Sequence, residues 1–176
     1  MSLLKHLSTT NTKLLGKNWN NKYIRTMLII VFFFTFGYTL SQKYTMGFNL
    51  SSSFPEKFFI LEKKDIVEKL HNGDIVYALP PKNNYVPDGK MVIKKIVCSS
   101  GQILNVVGKD FYCDHNYLFE AKTIDSRGNP IKQFVYNGAI PKDYYFIASF
   151  VPKSFDSRYF GLVGREQIKG ISIWKI

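Results

Sequence analysis

The sequence predicts a mainly β protein, in which one N-terminal transmembrane helix precedes a coiled or partly closed antiparallel β-domain. Two observations predict this fold. One uncharged apolar run lies near the N-terminus, and beyond it many short β-like runs alternate with turn residues. With 176 residues, of which 45% are hydrophobic and 16% aromatic, the chain has enough apolar material for one packed domain.

The apolar run covers residues 26–42 and contains no charged side chain. As a helix it would be about 26 Å long, close to the thickness of a bilayer's hydrocarbon core. Residues 1–25 carry five basic residues and no acidic one, an excess that marks the cytoplasmic flank of a membrane span. We therefore predict a cytoplasmic basic tail in 1–25, a transmembrane anchor in 26–43 and an extracytoplasmic domain in 44–176. A cleavable signal peptide is the alternative, but no small-x-small cleavage site follows the run.

The β-like runs of the domain are rich in β-branched and aromatic residues and end at Gly, Pro, Asn or Asp. They cover residues 57–61, 75–79, 90–97, 103–107, 111–113, 132–136, 144–148 and 170–176. A single short helix is predicted at 63–70, where apolar residues recur at helical spacing.

Charge and metal-binding residue types exclude several functions. Five of the 24 basic residues lie in the tail, and the remaining 19 are interspersed with 13 acidic residues, so no DNA-binding stripe and no nucleic-acid partner are expected. The three histidines are scattered without metal-like spacing, so neither a metal nor another cofactor is predicted. Cys98 and Cys113 would lie in an oxidising compartment, where a disulfide is expected; two buried free thiols are the alternative.

No histidine lies in a motif, so a serine nucleophile would need lysine as its base. In the strand at 90–97, alternation places Lys94 and Lys95 on opposite faces, and only one of them can point inward. Burial lowers the pKa of a lysine, and the neutral amine can then take a proton from a serine hydroxyl. The alternative is that both are edge-strand charges that prevent aggregation.

A polar turn at 153–161 carries the other candidate groups. Asp156 and Arg158 are spaced to pair, and Ser154 is placed to orient a lysine. The alternative is a capped loop with a local ion pair.

Together these stretches resemble the type I signal peptidase superfamily, most closely the conjugative-transfer signal peptidases of the TraF type. Gly73-Asp74-Ile75-Val76 also matches a strand start in this family. The three boxes that carry the resemblance are Asn49-Leu50-Ser51-Ser52-Ser53-Phe54-Pro55, Val92-Ile93-Lys94-Lys95-Ile96-Val97 and Ser154-Phe155-Asp156-Ser157-Arg158-Tyr159-Phe160-Gly161.

The resemblance implies a signal-peptidase-like fold and a role for each candidate residue. Ser53 would be the nucleophile and Lys94 its general base. The Ser51 hydroxyl and the Ser53 backbone N–H would form the oxyanion hole, and Ser154 would hydrogen-bond and orient Lys94. A supporting ion pair between Asp156 and Arg158 is implied as well.

The function implied is that of a serine endopeptidase with a Ser/Lys dyad, which matures a pilin precursor for conjugative type IV secretion by cutting after a small residue. It would be a single-pass protein of the inner (cytoplasmic) membrane with a periplasmic catalytic domain. The expected partners are a pilin or other precursor peptide, the membrane and proteins of the conjugation apparatus. The alternatives are a general type I signal peptidase, a self-cleaving repressor-like protein, which no helix-turn-helix supports, and a non-enzymatic pilus assembly factor.

Overall fold

The computed structural model describes residues 22–49, 54–63 and 69–176. The chain forms two compact units, Met1–Gln42 and Lys43–Ile176. Ser51 and Ser53, most of the predicted tail and most of the predicted helix at 63–70 lie outside the described residues.

The first unit is represented by helix α1, Lys22–Lys43, which is about 33 Å long and buries none of its residues. By length and composition it is able to cross a membrane. The hydroxyls of Thr26, Thr35, Thr39 and Ser41 donate to carbonyls three or four residues earlier, so these polar groups are satisfied within the helix. The helix includes residues 22–25, which the sequence analysis assigned to the tail.

The second unit contains two antiparallel sheets. The larger has the order β1-β2-β11-β3-β4-β9-β10, and the smaller has the order β7-β6-β5-β8. Both are open sheets, and the predicted mainly β, antiparallel fold is confirmed. The elements are β1 (Tyr44–Phe48), β2 (Phe58–Lys63), β3 (Ile75–Ala78), β4 (Val92–Cys98), β5 (Ile103–Val107), β6 (Asp110–Cys113), β7 (Asn116–Glu120), β8 (Gly138–Ala139), β9 (Tyr144–Ala148), α2 (Ser157–Phe160), β10 (Val163–Gly164), a 3-10 turn (Arg165–Gln167) and β11 (Ile168–Lys175).

An aromatic core joins the smaller sheet to β9. Phe111 on β6 and Phe146 on β9 are fully buried, and their rings stack 5.4 Å apart. A disulfide links Cys98 at the end of β4 to Cys113 on β6, with 5.8 Å between the Cα atoms. The predicted disulfide is therefore present, and the alternative of two free thiols is wrong. The disulfide also links β4, the strand that carries Lys94, to the smaller sheet.

Seven of the eight predicted strands are present, and the prediction at 132–136 is wrong. There the backbone N–H of Phe134 donates to the carbonyl of Arg158 at 2.7 Å instead of joining a sheet. The Phe134 ring stacks on Tyr136 and fills the space beside Gly161, 3.1 Å from where a Cβ would be. The segment thus packs as an extended loop over α2, which period-two alternation cannot distinguish from a strand.

Strand β1 was not predicted, because its residues directly follow the apolar run. It pairs with β2 in a register that places Gly47 opposite Phe59. A Cβ at Gly47 would lie 2.8 Å from a side-chain carbon of Leu61, so glycine permits this close packing. Strand β1 leads directly into Asn49 and the predicted nucleophile segment.

Candidate active site

Lys94 lies in the middle of the larger sheet. Its strand, β4, pairs with β3 on one side, where Val76 is opposite Lys94, and with β9 on the other, where Ala148 is opposite Lys95. The interpretation of both lysines as edge-strand charges is therefore wrong. Lys94 is 3% exposed, whereas Lys95 is half-buried with its Nζ 5.7 Å from the centre of the Phe150 ring. Lys94 is the lysine that points inward.

Burial away from water lowers the pKa of Lys94 from its ordinary 10.5 to about 8. The negative charge of Asp156 opposes this shift, and the positive charge of Arg158 adds to it. With this pKa, roughly a tenth of the amine is neutral at pH 7 and half is neutral at pH 8. A substantial part of the Lys94 side chain is therefore neutral near neutral pH.

The position of β4 is fixed by the turn before β3. Gly73 donates its N–H to the carbonyl of Ile96 at 2.9 Å, and Ile96 donates to the carbonyl of Asp74 at 2.8 Å. Gly73 has φ of 101°, a conformation that residues with a side chain rarely adopt. The glycine thus lets the turn bond directly to the strand two residues beyond Lys94.

The two ends of the predicted nucleophile segment, 50–53, are held together by Asn49. Its side-chain amide donates to the carbonyls of Phe54 and Glu56 at 3.1 and 3.2 Å. Its backbone N–H donates to the backbone carbonyl of Lys57 at 2.8 Å. Asn49 is 7% exposed, so these bonds are sheltered from water. They hold Asn49 close to residues 54–57.

Asp156 and Arg158 form a buried bidentate ion pair. Arg158 Nε and Nη2 each approach an Asp156 carboxylate oxygen at 2.8 Å, and the two side chains are 0% and 2% exposed. Arg158 Nη2 also donates to the carbonyls of Ser149, Val151 and Ser154 at 3.2 to 3.3 Å, and Asp156 accepts from the N–H of Ser149 at 3.1 Å. Asp156 is also the N-cap of α2. The pair is thus a local cap, as the alternative interpretation had it, and in addition it fixes the whole loop from Ser149 to Ser154.

Ser154 does not make the hydrogen bond that the resemblance implied. It is 4% exposed, but its Oγ has no hydrogen-bond partner among the residues that the structure describes, Lys94 included. The backbone of Ser154 is held by its own N–H bond to Val151 and by the bond from Arg158 to its carbonyl. These bonds fix the residue at the wall of a cavity, with its hydroxyl unpaired.

Two cavities adjoin these residues. The first, of about 420 Å³, is the base-side cavity, and its lining includes Phe48, Asn49, Ile93 and Lys94. The second, of about 290 Å³, is the Ser154 cavity, and its lining includes Ser154. Tyr85, Lys153 and Phe155 line both cavities. The Tyr85 and Phe155 rings stack 4.6 Å apart and form a shared wall.

Sequence reasoning assigned no role to Asn49 or Tyr85. Asn49 carried a usable signal, since an asparagine at the start of a polar loop commonly bonds to nearby backbone groups. Tyr85 lies in the connection between β3 and β4, and its stacking on Phe155, 70 positions later, leaves no local pattern in the sequence.

The chain belongs to the family described as signal peptidase, peptidase S26, whose model matches residues 19–176. It is similar to a probable conjugal transfer protein TraF of Sinorhizobium fredii, with 28% identity over 152 residues, 76% of this chain and 79% of that protein. It is also similar to the conjugal transfer protein TraF of Agrobacterium fabrum, with 25% identity over 168 residues, 82% of this chain and 93% of that protein.

Among solved structures, a signal peptidase I from Enterococcus faecalis shares 22% identity, with a TM-score of 0.40, and covers 60% of this chain and 97% of its own. The resemblance to signal peptidases of the TraF type is confirmed by the family match and the two relatives.

Proposed function

We propose that this protein is a membrane-anchored signal peptidase with a Ser/Lys dyad, which cuts a pilin precursor after a small residue during maturation for conjugative type IV secretion. The observation that carries the proposal is Lys94, a lysine buried on a central strand with its pKa lowered to about 8. The role in conjugation rests on the similarity to the two TraF proteins.

In the proposed reaction, neutral Lys94 takes the proton of the Ser53 hydroxyl, and the serine oxygen attacks the carbonyl of the scissile bond. The Ser53 backbone N–H and the Ser51 hydroxyl hold the resulting oxyanion, and loss of one such donor typically costs about 10²–10³ in rate. The Lys94 ammonium then returns the proton to the leaving amine as the C–N bond breaks. Water, or an amine of the substrate itself, releases the acyl group from Ser53.

The described residues support this assignment at both ends of the dyad. Asn49 bonds to the carbonyls of Phe54 and Glu56, which follow Ser51 and Ser53 in the sequence, and the base-side cavity is lined by both Asn49 and Lys94. An extended precursor would lie along this cavity, which would receive the small side chain before the cut. Asp156 and Arg158 would keep the neighbouring loop in place.

Pulse-labelling of a candidate pilin precursor tests this function. Ser53→Ala and Lys94→Ala are expected to accumulate uncut precursor, because each removes one half of the dyad, while Lys95→Ala processes it at the wild-type rate. Continued cleavage in Ser53→Ala would refute the mechanism. Pilus assembly that persists in both dyad variants would favour a non-enzymatic assembly factor, and the build-up of many uncut secreted proteins would favour a general signal peptidase.

We further propose that the N-terminus is cytoplasmic, that α1 anchors the chain in the inner membrane and that residues 44–176 lie in the periplasm. The five basic residues in 1–25 support this orientation, because an excess of Lys and Arg is typical of the cytoplasmic side of a membrane span. Alkaline phosphatase fused after Ile176 is expected to be active, because it folds only outside the cytoplasm. A β-galactosidase fusion at the same place should be inactive, and the reverse result would invert the topology.

A further inference from the structure

The Ser154 cavity is a second recess beside the candidate site. Its walls are mostly aromatic and aliphatic, from Tyr85, Phe155, Tyr159, Ile124 and Ile131. Ser154 also contributes to the lining, although its Oγ itself is buried.

The position of this cavity fits the half of a precursor that leaves after cleavage. The base-side cavity is bordered by Phe48 and Asn49, the last described residues before the nucleophile segment, so it suits the part of the substrate that stays attached to the serine. A peptide lying across the dyad must continue past the shared wall of Tyr85 and Phe155. The recess on the far side of that wall is the Ser154 cavity.

The charges at the cavity favour a negative ligand. Lys122 and Lys153 line it, both are exposed, and neither forms an ion pair within the described part of the chain. The one acidic residue in its lining, Asp125, already accepts hydrogen bonds from the backbone N–H groups of Arg127 and Asn129 at 2.8 and 2.9 Å. Asp125 is thus held in its own turn, and the two lysines against one carboxylate leave the lining with a net charge of +1.

We propose that the Ser154 cavity binds the precursor segment that follows the scissile bond and selects a carboxylate-bearing residue there. Lys122 and Lys153 would contact the carboxylate, and the Tyr85–Phe155 pair would separate the two halves of the substrate. This inference rests on the proposed peptidase function and names the substrate class of the same site.

Cleavage of matched peptides by the full-length protein in detergent micelles tests the inference. The probes are internally quenched peptides with alanine before the cut and either Glu or Gln at one of the first three positions after it. Wild type is expected to cleave the best Glu peptide about 3–10-fold faster in kcat/KM than its Gln partner, as expected for one or two exposed charge contacts. The ratio should fall as salt is raised, because screening weakens exposed pairs.

The double variant Lys122→Glu/Lys153→Glu should prefer the Gln peptide over the Glu peptide. The control is Lys142→Glu, which changes an exposed lysine in the connection between β8 and β9 that lines neither cavity, and it should keep the preference for Glu. The ratio of the two peptides is measured within each variant, so partial misfolding does not alter it. Cleavage without a Glu preference, or a preference that survives the double reversal, would overturn the inference and leave the proposed function intact. Failure of the wild type to cut any peptide or precursor would overturn the proposed function, and the inference with it.

Discussion

Lys94→Met is expected to abolish cleavage and, at neutral pH, to make the folded protein more stable than wild type. Methionine matches the length of lysine but has no base, and loss of a general base alone costs about 10²–10⁴ in rate. A pKa lowered from 10.5 to about 8 means that holding the charged amine in the fold costs up to about 3 kcal/mol, which methionine avoids. The measurement is peptide cleavage together with thermal unfolding of the same full-length protein in micelles.

The pH dependence of this difference follows from proton binding. Between pH 8 and 10.5 the unfolded wild type binds more protons at Lys94 than the folded state does, so its free energy of unfolding rises with pH across that window. The advantage of Lys94→Met should therefore be full below pH 8 and vanish above about 10.5. Wild-type kcat/KM should rise about tenfold per pH unit below pH 8 and level off above it. Lys95→Met, at the half-buried neighbour, is the control and should keep both activity and stability near wild type.

A Lys94→Met variant that is less stable than wild type at pH 7 would contradict the argument, because it would mean that the lysine stabilises the fold. A cleavage rate that is independent of pH between 6 and 8 would contradict the role of Lys94 as base.

Local patterns in the sequence narrowed the candidates for the buried lysine and the ion pair, but they did not predict the contacts of these residues. Alternation along 90–97 showed that one of Lys94 and Lys95 points inward, but not which, because the answer depends on β3 and β9, which pair with β4 from distant parts of the chain. Spacing likewise predicted a pair between Asp156 and Arg158. Its complete burial and its bonds to the carbonyls at 149–154 arise from tertiary packing.

Two of the errors lie in segments that Arg158 contacts. Ser154 was expected to bond to Lys94, and residues 132–136 were expected to form a strand, and Arg158 bonds to the backbone of both segments. Its side chain fixes the backbone of Ser154, and its carbonyl accepts the N–H of Phe134. No local pattern shows that one arginine organises two segments so far apart in the chain.

This central position of Arg158 makes Asp156→Asn the most damaging substitution for stability. Asparagine preserves the shape of the side chain but leaves the buried guanidinium without a counter-charge, and breaking such a pair typically costs about 3–5 kcal/mol. Denaturant unfolding should show a loss of this size. Asp88→Asn, the same chemical change in an exposed pair with Lys82, should cost at most about 1 kcal/mol.

A double variant separates the cost of the unpaired charge from the value of the pair. If Asp156→Asn destabilises by orphaning Arg158, then Asp156→Asn/Arg158→Met should be more stable than the sum of its single variants by about 1 kcal/mol or more. Additive single effects, or a loss in Asp156→Asn no larger than in Asp88→Asn, would contradict this account.

The same substitution should also act on the candidate base. The Asp156 carboxylate raises the pKa of Lys94 and so partly offsets the effect of burial, while Arg158 lowers that pKa. In the Asp156→Asn protein only the two lowering influences remain, so the rise of kcat/KM with pH should shift to lower pH. A variant that is destabilised but has an unchanged pH profile would show that the ion pair supports the loop without tuning Lys94.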